Sequence, residues 1–222
     1  MPKTRPAVTL VTPTHDRPLA FALCEKYMAR QTVQPDRWIV VDDGVEPAKC
    51  TLGQDHVRLP TVDSFRESFR TNWIEGLRMS RGFVLCVEDD DWYREDYIEQ
   101  MVSLLESRPL VGESRAKYFN VRHRMFLTHT NRFHASLCQT GIGSDDVREA
   151  AVRFLENDKR PETLDGGLWK RSGIPPEMKL LRPASTICVG IKAVPGRAGM
   201  GVGHTLAEMR TQPYRFDPSA DM

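Results

Sequence analysis

Four consecutive carboxylates, Glu88-Asp89-Asp90-Asp91, follow the apolar run Phe83-Val84-Leu85-Cys86-Val87. Like charges side by side repel, so a chain keeps such a run where it binds a cation or stands in water. In an extended segment side chains alternate, which would set Glu88 and Asp90 on one face and Asp89 and Asp91 on the other. Two carboxylates on one face supply the hard oxygen ligands that Mg2+ or Mn2+ take, and Mg2+ shares its shell with substrate phosphates. The run therefore points to a diphosphate-bearing substrate. The plainer reading is a solvated acidic cap on the helix that follows, favoured by the helix dipole.

Basic residues gather elsewhere. Residues 114–144 hold no Asp or Glu, but hold Arg115, Lys117, Arg122, Arg124, Arg132 and three histidines, interleaved with Tyr118, Phe119, Phe126 and Phe133. Basic and aromatic residues together suit a phosphorylated or nucleic-acid acceptor; the alternative is a solvated strand face with its aromatics turned inward. Modifying a hydroxylated base would need base flipping or single-strand access. A second acid-free stretch, residues 178–207, carries Lys192 and Arg197 beside a glycine-rich segment, suited to a diphosphate.

These groups need a frame. Residues 7–12 and 37–41 read as short buried strands, the second running into Asp42-Asp43-Gly44, and residues 56–59 as a weaker one. Residues 18–31 and 64–80 read as helices, the latter with Phe65, Phe69, Trp73 and Leu77 at i+4 spacing. Gly82 stops it, residues 83–87 form a strongly apolar strand, and residues 95–107 a further helix. Alternation of this kind predicts an α/β fold, a mostly parallel sheet flanked by helices, with ligands at the carboxyl ends of its strands. Beyond, 118–121, 125–130 and 185–191 read as strands and 145–157 as a helix, forming a smaller mixed region. The expected organisation is one half over 1–110, a second over 111–212, and a loosely held tail over 213–222.

With 222 residues, 40% hydrophobic and 27% charged, the composition is that of a globular domain, and a net charge of +1 names no partner. Five scattered cysteines without a C-x-x-C pair suggest reduced thiols and a cytoplasmic setting. No run approaches the roughly 18 apolar residues of a membrane-spanning helix.

The segments VTLVTPTHDRP, WIVVDDG and FVLCVEDDDWYREDYI, in this order, resemble the leading motifs of family-2 glycosyltransferases with the GT-A fold. The likeness covers about residues 7–107 and implies that the half over 1–110 binds the nucleotide-sugar donor and that the half over 111–212 is acceptor-side and catalytic. It implies a metal-dependent transfer of a sugar from a nucleoside-diphosphate sugar, most often a UDP-sugar, with Mn2+ or Mg2+ as cofactor. Pro13, Thr14 and Asp16 would line the base and ribose pocket, Asp42 would bond the nucleobase, and Asp43 with Gly44 would shape the turn. Counting back from Asp96-Tyr97-Ile98 makes Glu88-Asp89-Asp90 the D-x-D equivalent, with Asp90 the principal metal ligand and Glu88 a ribose or metal contact. The literal reading gives Asp89-Asp90-Asp91. Arg70, with Asn72, would reach the diphosphate, as would Lys192 and Arg197.

The family also places an acidic pair at the start of a helix beneath the acceptor. Asp145-Asp146 fits that description, with Asp146 favoured as the base and Asp165 in reserve; a helix cap at Ser144 or Asp145 is the structural alternative. His204 resembles a late metal or diphosphate contact. A sugar-nucleotide pyrophosphorylase is disfavoured because no glycine-rich loop follows the first strand, and a Rossmann dehydrogenase because G-x-G-x-x-G is missing there. A non-catalytic nucleotide-sugar or nucleic-acid binding module is the remaining alternative.

Overall fold

The computed structural model describes residues 6–158 and 164–195. The strand β1 (Val8–Thr14) is buried along its whole length and sits inside a seven-stranded sheet. Its β-branched residues face helices on both sides, which is why it reads as a continuous apolar run rather than an alternation. It pairs in parallel with β2 (Arg37–Asp42) and with β4 (Phe83–Cys86). Outside β2 lies β3 (Asp55–Arg58), also parallel. Beyond β4 come β9 (Thr140–Ile142), β6 (Leu110–Glu113) and β10 (Lys179–Arg182). Only β9 runs against its neighbours, pairing antiparallel with both β4 and β6.

Helices cover both faces. The helices α1 (Pro18–Ala29) and α3 (Tyr97–Leu105) close one core, with Phe21, Met28, Trp38, Tyr97 and Met101 buried in it. The helices α2 (Phe65–Met79), α4 (Asp145–Asn157) and α5 (Leu164–Arg171) close the other, around Trp73, Leu77, Phe154 and Trp169. Ser64 caps α2 by accepting the Glu67 amide, and its i+4 aromatic ladder packs as expected, Phe65 stacked on Phe69 and Phe69 edge-on to Trp73. Gly76 lets α2 lie close to β1, since a Cβ there would come within 2.3 Å of Val11 Cγ1. Gly82 takes φ +67 at the turn into β4, which glycine tolerates without steric cost.

A second, four-stranded sheet stands at the carboxyl end of β4: β5 (Asp91–Tyr93), β11 (Cys188–Lys192), β7 (Arg115–Asn120) and β8 (Met125–Thr130). The strand β5 begins inside the acidic run and pairs antiparallel with β11, Asp91 opposite Gly190. The sequence thus sends one continuous segment out of the first sheet and into the second, and the carboxylates occupy the junction.

Candidate active site

A cavity of about 450 Å³ opens at this junction. The end of β1 contributes Pro13, Thr14, His15 and Arg17; α2 contributes Phe65, Arg66, Ser68, Phe69 and Asn72. Glu88, Asp89, Asp90 and Asp91 form its floor, and Tyr118, Lys192, His134 and Asp165 also line it.

The acidic run is not extended. Residues 89–90 make a turn, so the expected alternation of faces along the run fails. Glu88 and Asp91 converge instead, with ligand atoms within 4.8 Å of each other and of the Cys138 thiol. Asp89 and Asp90 share one partner: Arg17 donates from Nη1 to Asp89 at 2.6 Å and from Nη2 to Asp90 at 2.5 Å. Thr14 donates to the other oxygen of Asp89 at 2.8 Å. Lys192 lies 3.8 Å from Asp91 and over the Tyr118 ring, and the Ile191 amide donates to Asp91.

Burial dominates the titration of these groups. It raises Asp89 to about 6 against the opposing pull of Arg17, and raises Asp91 to about 6 against that of Lys192. Burial, with the Asp91 charge behind it, pushes Glu88 well above the usual carboxylate range. The same carboxylates hold Arg17 and Lys192 above their ordinary values, although burial works the other way. Four acids thus face two bases. The excess of negative charge and the hard oxygen donors fit a divalent cation.

The other expected site residues divide. Pro13, Thr14, Glu88, Asp89, Asp90 and Lys192 line the cavity. Asp42 does not. It is fully buried, and its carboxylate accepts the amides of Gly44 and Ala48 together with Arg58 and His56. Asp42 therefore shapes the turn, the task expected of Asp43. Asp43 in turn holds the lining residues: one oxygen accepts His15, Ser68 and Asn72, while the other is buried without a partner. Asp16, at φ +49, accepts the Glu46 amide and does not line the cavity. Arg70 pairs with Glu67, one step round α2 from the cavity face, and Arg66 takes the lining position.

The expected base pair lies at the opposite end of the sheet from the acidic run. Because β9 is antiparallel to β4, its carboxyl end emerges beside Phe83 and Pro109, away from the acidic run. Ser144 caps α4 there, and Asp145 is 73% exposed and paired with Arg148. Neither Asp145 nor Asp146 reaches the cavity. Asp165, at the start of α5, does, with His134 Nε2 at 4.0 Å. Burial lowers the His134 pKa, and its Nδ1 is buried without a partner. Arg197 and His204 lie outside the described residues. Sequence reasoning assigned no site role to Arg17, His15, Arg66 or His134; Arg17 was legible only as the residue before a helix-starting proline.

The sequence profile of glycosyl transferase family 2 matches residues 9–184. The chain belongs to that family. Within this glycosyl transferase family 2 chain, the match spans both the acidic floor and the Asp165 wall. Among solved structures, S. aureus TarS 1-349 superposes with a TM-score of 0.60 at 13% identity, over 83% of this chain and 60% of that one. The same protein in complex with UDP-GlcNAc gives 0.54 at 11% identity, over 85% and 59%. These likenesses establish the GT-A fold, and the chain spans about 60% of the TarS fragment's length. No curated relative matches the chain. Among the described residues, no helix is long and apolar enough to cross a membrane.

Proposed function

We propose that the cavity binds a UDP-sugar and transfers its sugar, with inversion, to an acceptor hydroxyl. The observation that carries the reading is one cavity lined together by four carboxylates, by Arg17 and Lys192, and by Asp165. The UDP-GlcNAc complex of the structurally similar TarS supports a UDP-sugar donor. The organisation expected from the sequence, a donor half ahead of residue 110 and an acceptor half after it, is kept in this reading, although β6, β9 and β10 complete the first sheet and β5 belongs to the second.

Each role follows from chemistry already described. His15, Ser68 and Asn72, anchored on Asp43, form the nucleoside wall together with Pro13, Phe65 and Phe69. Asp90 and Glu88 would hold Mn2+ or Mg2+, with Asp91 beside them. When bound, the ion would neutralise charge on the departing diphosphate. Lys192 adds a fixed positive charge to the same task, in a buried setting where it counts for more than in water. Asp165 accepts the proton of the acceptor hydroxyl as its oxygen attacks the anomeric carbon and the bond to the diphosphate breaks. Tyr118, His129, Asn131 and His134 orient the acceptor.

The acceptor wall is polar and largely uncharged, which favours a hydroxylated, carbohydrate-like acceptor. A nucleic-acid or phosphorylated acceptor is the second reading. Arg115, Lys117 and the Phe119–Phe126 pair (4.6 Å between centroids) favour it, although strand alternation sets them on the face opposite Tyr118. The test is release of UDP from a panel of UDP-sugars, with and without Mn2+, by the native chain and by Asp165→Asn. Slow hydrolysis of one donor, accelerated by a hydroxylated acceptor and lost in Asp165→Asn, supports the proposal. No release from any donor overturns it.

A further inference from the structure

We infer that His134 and Asp165 grip a single acceptor oxygen between them, His134 donating to it from Nε2 while Asp165 takes its proton, so that the site accepts a hydroxyl and neither an amine nor a phosphate. This rests on the transfer reading above and names the group that the acceptor must present.

The two side chains reach the cavity from separate elements. His134 comes from the loop between β8 and the turn at Leu137–Gln139, and Asp165 from the first turn of α5. Their side chains are 18% and 20% exposed. One Asp165 oxygen, Oδ1, accepts the Gly166 amide at 2.7 Å. The other, Oδ2, lies 4.0 Å from His134 Nε2. That gap is too long for a direct hydrogen bond. One oxygen can bridge it: at about 2.7 Å from the carboxylate and about 2.9 Å from the ring nitrogen, it would meet the two partners at an angle of roughly 90°.

The ring is set to donate. Nδ1 is buried and has no partner among the described residues. A proton there would be a donor sealed from water with nothing to accept it, which is costly. The proton therefore sits on Nε2, the nitrogen nearer Asp165. Charging the ring would also place a proton on Nδ1, so the same cost keeps His134 neutral. Burial lowers its pKa, and Lys170 and His129 act in the same direction, against the pull of Asp165.

An oxygen held this way is ready to react. A hydroxyl carries one proton and two lone pairs. The proton points to Asp165 Oδ2, one lone pair accepts from His134, and the second attacks the anomeric carbon. As that bond forms, the bond from the anomeric carbon to the diphosphate oxygen breaks. Its electron pair leaves with UDP, and the hydroxyl proton passes to Asp165. His134 keeps its own proton throughout. A neutral amine has one lone pair and cannot both accept from His134 and attack. An ionised phosphate has no proton to give and is repelled by the carboxylate.

The experiment uses water as the acceptor and follows UDP release from the UDP-sugar panel by the native chain, His134→Phe and His134→Gln. Calorimetric UDP affinity and thermal melting are measured beside it. His134→Phe keeps a ring without the donor and should lower release about tenfold or more, with UDP affinity and melting near native. A loss of kcat without a loss of donor binding marks a contact made to the reacting atom. His134→Gln, which keeps an N–H donor, should recover most of that loss. The nitrogen NMR resonances of the His134 ring, assigned by their absence from His134→Gln, should show Nε2 protonated and Nδ1 bare at neutral pH. Native-like release by folded His134→Phe, a loss that His134→Gln leaves unrelieved, or a proton on Nδ1 overturns the grip. If the native chain releases no UDP from any donor, the transfer reading itself falls and the grip falls with it.

Discussion

Replacing Asp42 by alanine separates a turn-holding role from the nucleobase contact expected from the sequence. The carboxylate is fully buried and accepts four donors: the Gly44 and Ala48 amides, Arg58 and His56. Alanine leaves the Gly44 amide, on a buried residue, and the half-buried Ala48 amide without acceptors. An unmet buried donor costs about 1–3 kcal/mol. Arg58 is 36% exposed and can turn to water, so its loss adds little. The expected cost is about 3 kcal/mol, which for a chain of this size lowers the melting temperature by roughly 10 °C. UDP affinity, measured by calorimetry well below the melting point, should change less than threefold. Destabilisation under about 1 kcal/mol together with a tenfold or greater loss of UDP affinity would refute the reasoning and restore Asp42 as the nucleobase contact.

Further expectations follow from the same geometry. Asp165→Asn should lower turnover by about 10²- to 10⁴-fold with little change in donor KM, whereas Asp145→Ala and Asp146→Ala should stay near native in a steady-state assay. Gly76→Ala should cost stability in chemical denaturation, since overpacking against Val11 costs about 1–3 kcal/mol and the helix gain for alanine over glycine is about 1 kcal/mol. The pH dependence has a definite sign. Asp89 and Asp91 are raised to about 6 in the folded chain, so it keeps their protons when the unfolded chain has lost them. Their charging penalises the fold above pH 6, and that penalty fades as pH falls from about 6 toward 4. Protons and Mn2+ compete for the run, so the rise in melting temperature on adding Mn2+ should be large at pH 7.5 and small at pH 5.

The first half of the fold was legible because its signals are local. The strands β1, β2 and β4 are unbroken apolar runs, and α2 carries its aromatic ladder at helical spacing. The strands β6, β9 and β10 were not legible. They have 4, 3 and 4 residues, and β9 reads as a glycine turn before a helix. Its antiparallel course reverses the end of the sheet at which Asp145 and Asp146 emerge, so the helix cap was legible in the local motif and their distance from the cavity was not. The acidic run was found from composition, but its faces were misassigned because strand alternation was applied across residues 89–90, where the chain turns. The anchoring of Asp42 in the turn depends on Arg58 and His56, brought there by β3, a contact no local pattern announces. Arg17 has the same origin, meeting Asp89 and Asp90 from more than seventy residues away.

The most direct test of the central claim is a calorimetric titration of UDP into the native chain and into Asp90→Ala, each with Mn2+ and with EDTA. Binding to the native chain that strengthens with Mn2+, and that loses this strengthening in Asp90→Ala, is the result expected. Absence of UDP binding to the native chain under both conditions would contradict the assignment of the cavity to a nucleotide-sugar donor.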